Sequence, residues 1–562
     1  MVSTLLIFSF LTNQKSMLKF NSPLEAFLHW ETTTPNAIFL NQPIDGKIIS
    51  YSFSEVGIQA RKIAYVLKSH NFSERSHIAL LSKNCAHWHM SDLAIMMAGH
   101  VSIPIYPTLN AHSIHQILEH SESKAIIIGK LDNFELQKSG IPEIPKISTS
   151  LYNVKEGQIW EDIVEEGQKL ETVYNQKPDG LHTIIYTSGT TGTPKGVMHT
   201  VENFMISSYY LINSYQTPNQ ARFFSYLPIA HVAERVLETV CFISGAQVSF
   251  PESLETFAED LEKTQPFGFF AVSRIWTKFQ EKILEKIPQK KLTILLRTPI
   301  LNSVIKKKLQ QKLGLKKTKF VLSGAAPLAP SLMRWFKSIG IEILQVYGMT
   351  EDCCVSHWNM PETNKVGTVG KPLKNINTKL SAEGEICIKN ACMFKGYFKE
   401  PKITAAVFDE QGYFKTGDIG EYDHDGFLTI TGRVKDQFKT DKGKYISPAP
   451  LELDMSKNTD IEQICIVGTG IPQPIALITL SELGKSKSTK ELSAGLIATV
   501  NQVNKNIEKH EKIEKVIIMK EDWNVDNGLT TPTFKVKRNS IEKIHQPFYK
   551  QWFENNDKII FE

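Results

Sequence analysis

Apolar segments alternate with amphipathic ones over the first 370 residues of the chain. The segment 85–99 has helical spacing and stops at Gly99, whereas Pro104 and Pro107 keep 101–108 extended. Short apolar runs bounded by polar residues predict buried strands at 77–84, 123–129 and 181–189. Strands spaced by helices predict an α/β fold of layered, largely parallel sheets.

The pattern changes after about residue 370. Segment 378–390 predicts a hairpin around Glu383-Gly384, and segments 409–418 and 424–433 are rich in turn and strand residues. The end of the chain, 434–562, is Lys-rich with short helical and strand patterns. We therefore predict a large N-terminal domain over 17–433 and a small α+β C-terminal domain over 434–562, joined by a polar hinge near Arg433.

Composition and charge exclude several classes of protein. The 562 residues hold 64 Lys+Arg and 59 Asp+Glu, a net charge of +5, too weak to indicate nucleic-acid binding. Seven cysteines at irregular spacing, with no second pair or nearby His to complete a zinc site, indicate buried reduced thiols. A reducing cytoplasmic location is the expectation.

The first residues form an apolar run, 2–12, which is too short to span a bilayer. Three interpretations stay open: an over-extended reading frame whose true start is Met17, a membrane-seeking extension, and a signal peptide. We expect 1–16 to be a non-native or disordered extension.

A loop rich in glycine and hydroxyl groups follows the strand that ends at Tyr186. It reads YTSGTTGTPKG, and its donors are Thr187, Ser188, Gly189, Thr190, Thr191 and Lys195. Such a loop lets backbone N–H groups approach an anion, while Lys195 adds positive charge for a polyphosphate. It is not a Walker loop, because Gly196 follows the lysine.

This loop resembles the signature of the AMP-forming adenylate synthetases, which include acyl-CoA synthetases, adenylation domains and luciferases. Further segments resemble motifs of that family in the same order, over roughly residues 20–550: LPIAH (227–231), SGAAPL (323–328), YGMTE (347–351), YFKTGD (413–418), GRVKD (432–436), KGKYISP (442–448) and TPTFKVKR (531–538).

The resemblance implies roles for the nucleotide-binding residues. The loop Thr187–Lys195 would hold the β- and γ-phosphates of ATP, Glu351 with Thr187 would hold Mg²⁺, and Thr350 would contact the α-phosphate. Asp418 and Arg433 would contact the ribose. The adenine would lie against small residues and an aromatic ring, namely Gly324, Ala325, Ala326, Gly348 and Tyr347.

The resemblance also implies two half-reactions. Lys535 would be the catalytic lysine of adenylation, with Lys537 as its rival. Rotation of the C-terminal domain about Lys435 would then admit the thiol of CoA past Gly443. His231 would lie between the acyl pocket and the phosphates.

The motif forms AHVAERV (230–236), AVSRIWTKF (271–279) and TPTFKVKR are similar to those of long-chain and bubblegum-type synthetases, although Ser273 stands where that group usually has Pro. The implied function is a long-chain fatty acid–CoA ligase. An acyl-AMP ligase that loads a carrier protein, an inactive nucleotide-binding homologue and a luciferase-type oxygenase stay open. Chain length and oligomeric state stay open too.

A basic stretch offers a further hint. Residues 302–319 contain seven lysines and no acid, on a helix that Gly314 ends. The lysine-rich face of this helix is either simply solvated or attracted to anionic membrane lipid.

Overall fold

The computed structural model describes residues 19–187, 194–505, 507–531 and 534–562. The expected extension at 1–16 therefore lies outside the described residues. No helix within the described ranges is long and apolar enough to cross a membrane.

The N-terminal part contains most of the helices. They are α1 (Pro23–Thr33), α2 (Phe53–Ser69), α3 (Ala86–Met97), α4 (Ala111–Ser121), α5 (Trp160–Glu166), α6 (Val201–Tyr215), α7 (Val232–Ser244), α8 (Phe257–Thr264), α9 (Ser273–Lys286), α10 (Gln289–Arg297), α11 (Leu301–Lys312), α12 (Pro330–Ser338) and α13 (Pro401–Ala406).

The strands of the same part run from Ile38 to Arg433. They are β1 (Ile38–Ile44), β2 (Lys47–Ser52), β3 (His77–Leu81), β4 (Val101–Ile105), β5 (Ala125–Ile128), β6 (Lys146–Ser148), β7 (Gln158–Ile159), β8 (Leu181–Thr187), β9 (Lys195–Thr200), β10 (Arg222–Phe224), β11 (Gln247–Ser249), β12 (Gly268–Ala271), β13 (Phe320–Ser323), β14 (Ile343–Tyr347), β15 (His357–Trp358), β16 (Lys371–Pro372), β17 (Asn377–Leu380), β18 (Glu385–Lys389), β19 (Gly396–Tyr397), β20 (Phe414–Tyr422) and β21 (Leu428–Arg433).

The C-terminal part continues with short elements. They are β22 (Phe438–Lys439), β23 (Tyr445–Ile446), α14 (Pro448–Met455), β24 (Ile461–Val467), β25 (Ile475–Leu480), α15 (Glu482–Lys485), α16 (Thr489–Val503), β26 (Lys515–Ile518), α17 (Arg538–His545), α18 (Tyr549–Glu554) and β27 (Ile559–Phe561).

Two sheets contain the parallel strands that the sequence predicts. One has the order β19-β9-β8-β4-β3-β5-β6-β7, and the other has the order β12-β13-β14-β15-β16. The first is parallel from β8 to β7, and the second from β12 to β14. The mixed α/β fold is confirmed, and β17 and β18 form the predicted hairpin.

The remaining sheets are antiparallel or mixed. The order β17-β18-β20-β21 is antiparallel throughout, β10-β11-β1-β2 is mixed, and β24-β25-β26-β27 belongs to the C-terminal part. Separate apolar cores lie under the two halves: Phe27, Phe39 and Phe53 pack together in the first, and Leu496 and Val516 are buried in the second. Parallel pairs occur in two of these sheets as well, between β11 and its neighbours β1 and β10 and along β25-β26-β27.

Candidate active site

Asp418 and Arg433 form a cross-strand pair on β20 and β21, where they lie opposite each other. Arg433 Nε donates to Asp418 Oδ1 at 2.6 Å, and the hydroxyl of Tyr347, at the end of β14, donates to Asp418 Oδ2 at 2.8 Å. The charge of Asp418 raises the pKa of Arg433 against the effect of burial. A carboxylate has about four lone-pair positions, so Asp418 can still accept hydrogen bonds from a diol.

Glu351 lies in the short 3₁₀ turn after β14. Tyr397 donates its hydroxyl to Glu351 Oε1 at 2.7 Å, and the ammonium of Lys195 lies 5.3 Å from the centre of the Tyr397 ring. Burial raises the pKa of Glu351, while the Tyr397 hydrogen bond and the charges of Arg433 and Lys195 oppose that rise. Tyr397 thus joins the predicted carboxylate to the predicted phosphate-binding lysine.

The carboxylate of Glu351 fits a magnesium ion that is held jointly with a polyphosphate. Mg²⁺ is commonly bound through one or two carboxylates together with substrate phosphates. Within the described ranges no three His, Cys, Asp or Glu side chains cluster as metal ligands. Glu351 is therefore a candidate partner for a nucleotide-bound ion rather than part of an all-protein cage.

The backbone beside Glu351 is held by the buried side chain of His199, which in turn contacts that of Cys353. His199 Nε2 lies 2.7 Å from the carbonyl oxygen of Thr350, and Cys353 Sγ lies 3.3 Å from His199 Nδ1. Burial lowers the pKa of His199 to about 4, so the ring is neutral and can donate to the carbonyl through Nε2. The backbone at Thr350 is thereby held in place.

The predicted adenine loop follows β13. A Cβ on Gly324 would lie 3.1 Å from Val346 O, and one on Gly348 would lie 2.5 Å from the Cα of Cys354. Ala325 has a φ of +65°, a conformation that costs a residue with a Cβ about 1–3 kcal/mol. Ser273 Oγ, at the start of α9, donates to Pro327 O at 2.7 Å and so ties the loop to that helix.

Lys535 extends from the C-terminal part into this region. Its loop is closed by bonds from Thr531 N to Lys535 O at 2.8 Å and from Lys535 N to Thr531 Oγ1 at 3.1 Å. Burial, followed by the charge of Arg433, lowers the pKa of Lys535, whereas Asp418 and Cys354 oppose the shift. Lys535 itself is exposed to solvent, although enough protein surrounds its ammonium to lower the pKa.

The residues that follow Lys535 tie its loop to the rest of the C-terminal part. Lys537 N donates to Leu529 O at 2.8 Å, and Arg538 binds Glu452 and the carbonyl of Ile466. Arg538 thus anchors the start of α17 to α14 and β24. This anchor supports the loop that presents Lys535.

His231 is the N-cap of α7. Its Nδ1 accepts a hydrogen bond from Ala233 N at 3.2 Å, and burial, helped by the charge of Lys535, lowers its pKa to about 4. A neutral ring that accepts at Nδ1 carries its proton on Nε2. His231 is therefore a neutral donor close to Lys535.

The two parts of the chain also meet at Arg274, the second residue of α9. Arg274 forms an ion pair of 2.6 Å with Glu462 on β24, and its guanidinium lies 5.2 Å from the ring centre of Phe534. Phe534 directly precedes Lys535. Neither this contact nor Tyr397 was identified from the sequence, because each partner lies far away along the chain.

Two predicted residues lie apart from this cluster. Lys435 is exposed and has no hydrogen bond or ion pair with another residue of the described ranges. Gly443 lies in the turn between β22 and β23 with a φ of +76°.

The phosphate loop is described only at its two ends. Thr187 ends β8 opposite Lys195 on β9, and Ser188, Gly189, Thr190 and Thr191 lie outside the described residues. The functions of all these residues stay predictions.

Side chains on β9, β14, β20 and β21 and in the turn after β14 converge with a lysine from a second part of the chain. A fold of this kind with such a site defines a nucleotide-binding enzyme of the adenylate-forming class. Residues 27–398 match the family model "AMP-binding enzyme", and 435–555 match "AMP-binding enzyme C-terminal domain". The chain belongs to the AMP-binding enzyme family, which confirms the resemblance found in its motifs.

Curated relatives cover nearly the whole chain. It is 28% identical to Long-chain-fatty-acid--CoA ligase FadD15 of Mycobacterium bovis, over 91% of this chain and 93% of that protein. It is 27% identical to Long-chain-fatty-acid--CoA ligase 5 of Rattus norvegicus, over 92% and 85% respectively.

Solved structures share the fold. The adenylation domain of a carboxylate reductase from Mycobacterium chelonae has a TM-score of 0.78 at 19% identity, covering 95% of this chain and 91% of that one. An o-succinylbenzoate CoA synthetase from Bacillus subtilis, solved with its acyl-adenylate intermediate, has a TM-score of 0.71 at 21% identity, covering 92% and 97%.

Proposed function

We propose that the chain is a long-chain fatty acid–CoA ligase that converts ATP, a fatty acid and CoA to acyl-CoA, AMP and diphosphate through an acyl-adenylate. The observation that carries the proposal is the contact of Phe534, the residue before Lys535, with Arg274 on α9, which sets Lys535 where the charge of Arg433 acts on it and its own charge acts on His231. The names of the curated relatives favour a long-chain acid and CoA as the substrates.

In the first half-reaction a carboxylate oxygen attacks the α-phosphorus of ATP and diphosphate leaves. Both reactants are anions, so the reaction needs positive charge and aligned donors at the phosphorus. Lys535 supplies an ammonium between the carboxylate and the α-phosphate, and Lys195 neutralises the leaving diphosphate. The neutral His231 donates Nε2–H toward the same region without adding charge.

Asp418 and Arg433 hold the ribose, and the loop 324–326 with Tyr347 holds the adenine. Glu351 would hold Mg²⁺ together with Thr187, and when bound that ion neutralises phosphate oxygens. Thr350, whose backbone is fixed by His199, contacts the α-phosphate.

In the second half-reaction the thiol of CoA attacks the acyl carbon and AMP leaves. Lys535 must withdraw for the thiol to enter, so the C-terminal domain, 434–562, rotates against 17–433 at the hinge around Lys435. The family models match up to residue 398 and again from residue 435, which supports a boundary between them. Gly443, without a side chain, lets pantetheine pass close to the backbone.

A cytoplasmic location with peripheral membrane contact completes the proposal. All seven cysteines are free thiols, six of them buried and Cys354 half-buried, which suits a reducing compartment. The lysines of 302–319 would face anionic lipid, and the water-insoluble substrate would come from the same membrane.

The test is a substrate panel. The protein is incubated with ATP, Mg²⁺, CoA and acids of about two to twenty carbons, and AMP and thioester are measured separately. We expect both products, with the highest kcat/KM for long acids. AMP without thioester would indicate a carrier-protein ligase, and no AMP with any acid would indicate an inactive homologue.

A matched pair of variants links the products to the site. Asp418→Asn should lower AMP formation about 10²-fold, because the carboxylate holds the ribose. Asp409→Asn is the control, since Asp409 pairs with Lys379 at the surface instead. Equal activity of the two variants would contradict the assignment.

A further inference from the structure

The helices α10 and α11 form a hairpin that is fixed to the body on one side only. Leu292 is fully buried, and Leu296, Ile305 and Leu309 pack against the core around Phe336 and Leu315. The segment 298–300 joins the two helices at the end of the hairpin. The hairpin is therefore held in a defined orientation while its outer face and its tip remain free.

The tip carries large aliphatic side chains that face solvent. Ile294 is 66% exposed, Ile300 84%, Leu301 44% and Val304 54%. Ile300 also has a φ of +67°, a left-handed conformation that is costly for a β-branched residue. Clustered exposed aliphatic groups on a soluble body mark an interaction surface, whereas single ones do not.

The same hairpin is strongly basic. Between Gln289 and Lys312 there are seven Lys and Arg and no Asp or Glu. Over 286–341 the count is thirteen against none, so the rest of the chain has a net charge of −8 within a total of +5. Lys312 pairs with Glu262, but Arg297 and Lys306–Lys308 have no ion pair within the part of the chain that the structure describes.

We propose that the tip of the α10–α11 hairpin inserts into the surface of an anionic lipid membrane. Apolar side chains at the tip, flanked by unpaired cations, match the two layers of such a surface: acyl chains below and anionic headgroups above. A symmetric dimer formed through this patch fits it less well, because the two basic hairpins would then face each other.

Insertion at this hairpin brings the candidate active site close to the membrane. Helix α9 begins at Ser273, beside the adenine loop, and its 14 residues span about 21 Å before the hairpin starts. Delivery of a fatty acid from the bilayer rests on the proposed function, whereas docking of the tip does not. The two can therefore be tested separately.

The test is vesicle co-sedimentation of the full chain without substrates. The vesicles are phosphatidylcholine alone or phosphatidylcholine with about one-third phosphatidylserine. We expect binding to the anionic vesicles, a large loss at high salt, and weak binding to the neutral vesicles. Ile294→Glu/Ile300→Glu should lower the partition coefficient at least about tenfold.

A matched control separates insertion from charge alone. Leu136→Glu/Leu254→Glu introduces the same two charges at side chains that are 72% and 83% exposed elsewhere, and it should bind within about twofold of wild type. Lys307→Gln/Lys308→Gln should weaken binding to anionic vesicles about tenfold and leave the weak binding to neutral vesicles unchanged.

Equal losses in the tip and control variants would overturn the proposal, as would wild-type protein that does not sediment with anionic vesicles. The proposal would also be overturned if the wild-type protein does not bind vesicles but forms a dimer that Ile294→Glu/Ile300→Glu dissociates, since the tip would then be an interface between two copies. Thioester formation in vesicle-free solution should be the same in the tip variant and wild type. Loss of that activity in both would refute the ligase function without bearing on docking.

Discussion

An ion-pair cluster inside the body and an ion pair at the junction of the two parts differ in how deeply they are buried. In the first, the sealed cluster, Arg235 on α7 contacts Asp92 at 2.7 Å and also pairs with Glu238, and all three side chains are at most 2% exposed. At the junction, Arg274 pairs with Glu462, and these side chains are 44% and 24% exposed.

The sealed cluster pairs one cation with two acidic side chains. Burial opposes the charge of Asp92, but the charges of Arg235 and His182 and the hydrogen bonds from Arg235 and Ser102 together lower the pKa of Asp92, whereas burial raises the pKa of Glu238 well above its usual value. Paired charges can stay buried together, whereas removal of the cation leaves an uncompensated charge. The cluster therefore fixes α7, whose N-cap is His231.

The junction pair is of a different kind. An exposed ion pair contributes about 0–1 kcal/mol, so the Arg274–Glu462 pair can join the two parts without locking them. The difference in burial favours the proposed rotation of the C-terminal domain against a rigid body.

The largest effect is expected inside the sealed cluster. Arg235→Met should destabilise the protein by about 3–5 kcal/mol, because Asp92 loses its counter-charge without gaining water. The measurement is the shift of the first urea unfolding transition. If Arg235→Met does not fold, Arg235→Lys should show a smaller shift of the same sign.

The control for this variant is Lys312→Met, which removes an exposed pair with Glu262 and should cost no more than about 1 kcal/mol. Replacing Asp92 by Leu in the Arg235→Met background should recover much of the loss, since the unpaired carboxylate of Asp92 is then removed as well. A loss as small as that of Lys312→Met would contradict the contrast between the two regions.

The next effect concerns the lysine that crosses the junction. Lys535→Ala should slow ATP–pyrophosphate exchange at least about 10²-fold, the scale of losing one transition-state donor, yet spare thioester formation from supplied acyl-adenylate. Lys537→Ala is the matched control and should retain most of the exchange. An unchanged exchange rate in Lys535→Ala would refute the role of this lysine.

The pH profile sharpens the same prediction. The pKa of Lys535 is lowered in the closed arrangement, so its ammonium loses its proton at a lower pH than an ordinary lysine does. Exchange in the wild-type protein should therefore fall on the alkaline side earlier than an unperturbed lysine would require. Lys535→Arg, whose charge persists to higher pH, should shift that fall upward if it retains measurable activity.

The sequence predicted the parts of this site that lie within short motifs. The strand before the phosphate loop and the hairpin at 383–384 were both visible as local patterns, whereas the domain division at residue 433 stays a prediction. Asp418 and Arg433 were predicted as ribose contacts fifteen residues apart, but not as partners of each other. Their pairing depends on the register of β20 and β21, which no single motif specifies.

The residues that were missed act across long stretches of chain. Tyr397 is 46 residues from Glu351, and His199 is 151 residues from Thr350, so only the folded chain brings them together. Ser273 was noted from the sequence only as a departure from the motif that the chain resembles, and its hydroxyl bond to Pro327 O became visible only in the fold. Sequence patterns therefore could not identify these partners, because each pair forms only in the folded chain.

The smallest effect is expected at the exposed pair of the junction. Arg274→Ala removes the ion pair with Glu462 and the contact with Phe534, so it should lower the adenylation rate about two- to fivefold and leave the thioester step unchanged. The measurement is the ratio of the two half-reaction rates. Lys278→Ala, one turn further along α9, is the control and should leave that ratio unchanged.

A charge exchange distinguishes an attractive pair from simple packing. Arg274→Glu/Glu462→Arg should return the ratio toward the wild-type value, whereas Arg274→Glu alone should lower it further, because two acidic groups then face each other. If both variants behave alike, charge at this contact does not hold the cap closed. Packing of Phe534 and the loop of Lys535 would then stabilise the junction. The junction and the sealed cluster would in that case differ in how they are packed and not in how exposed their ion pairs are.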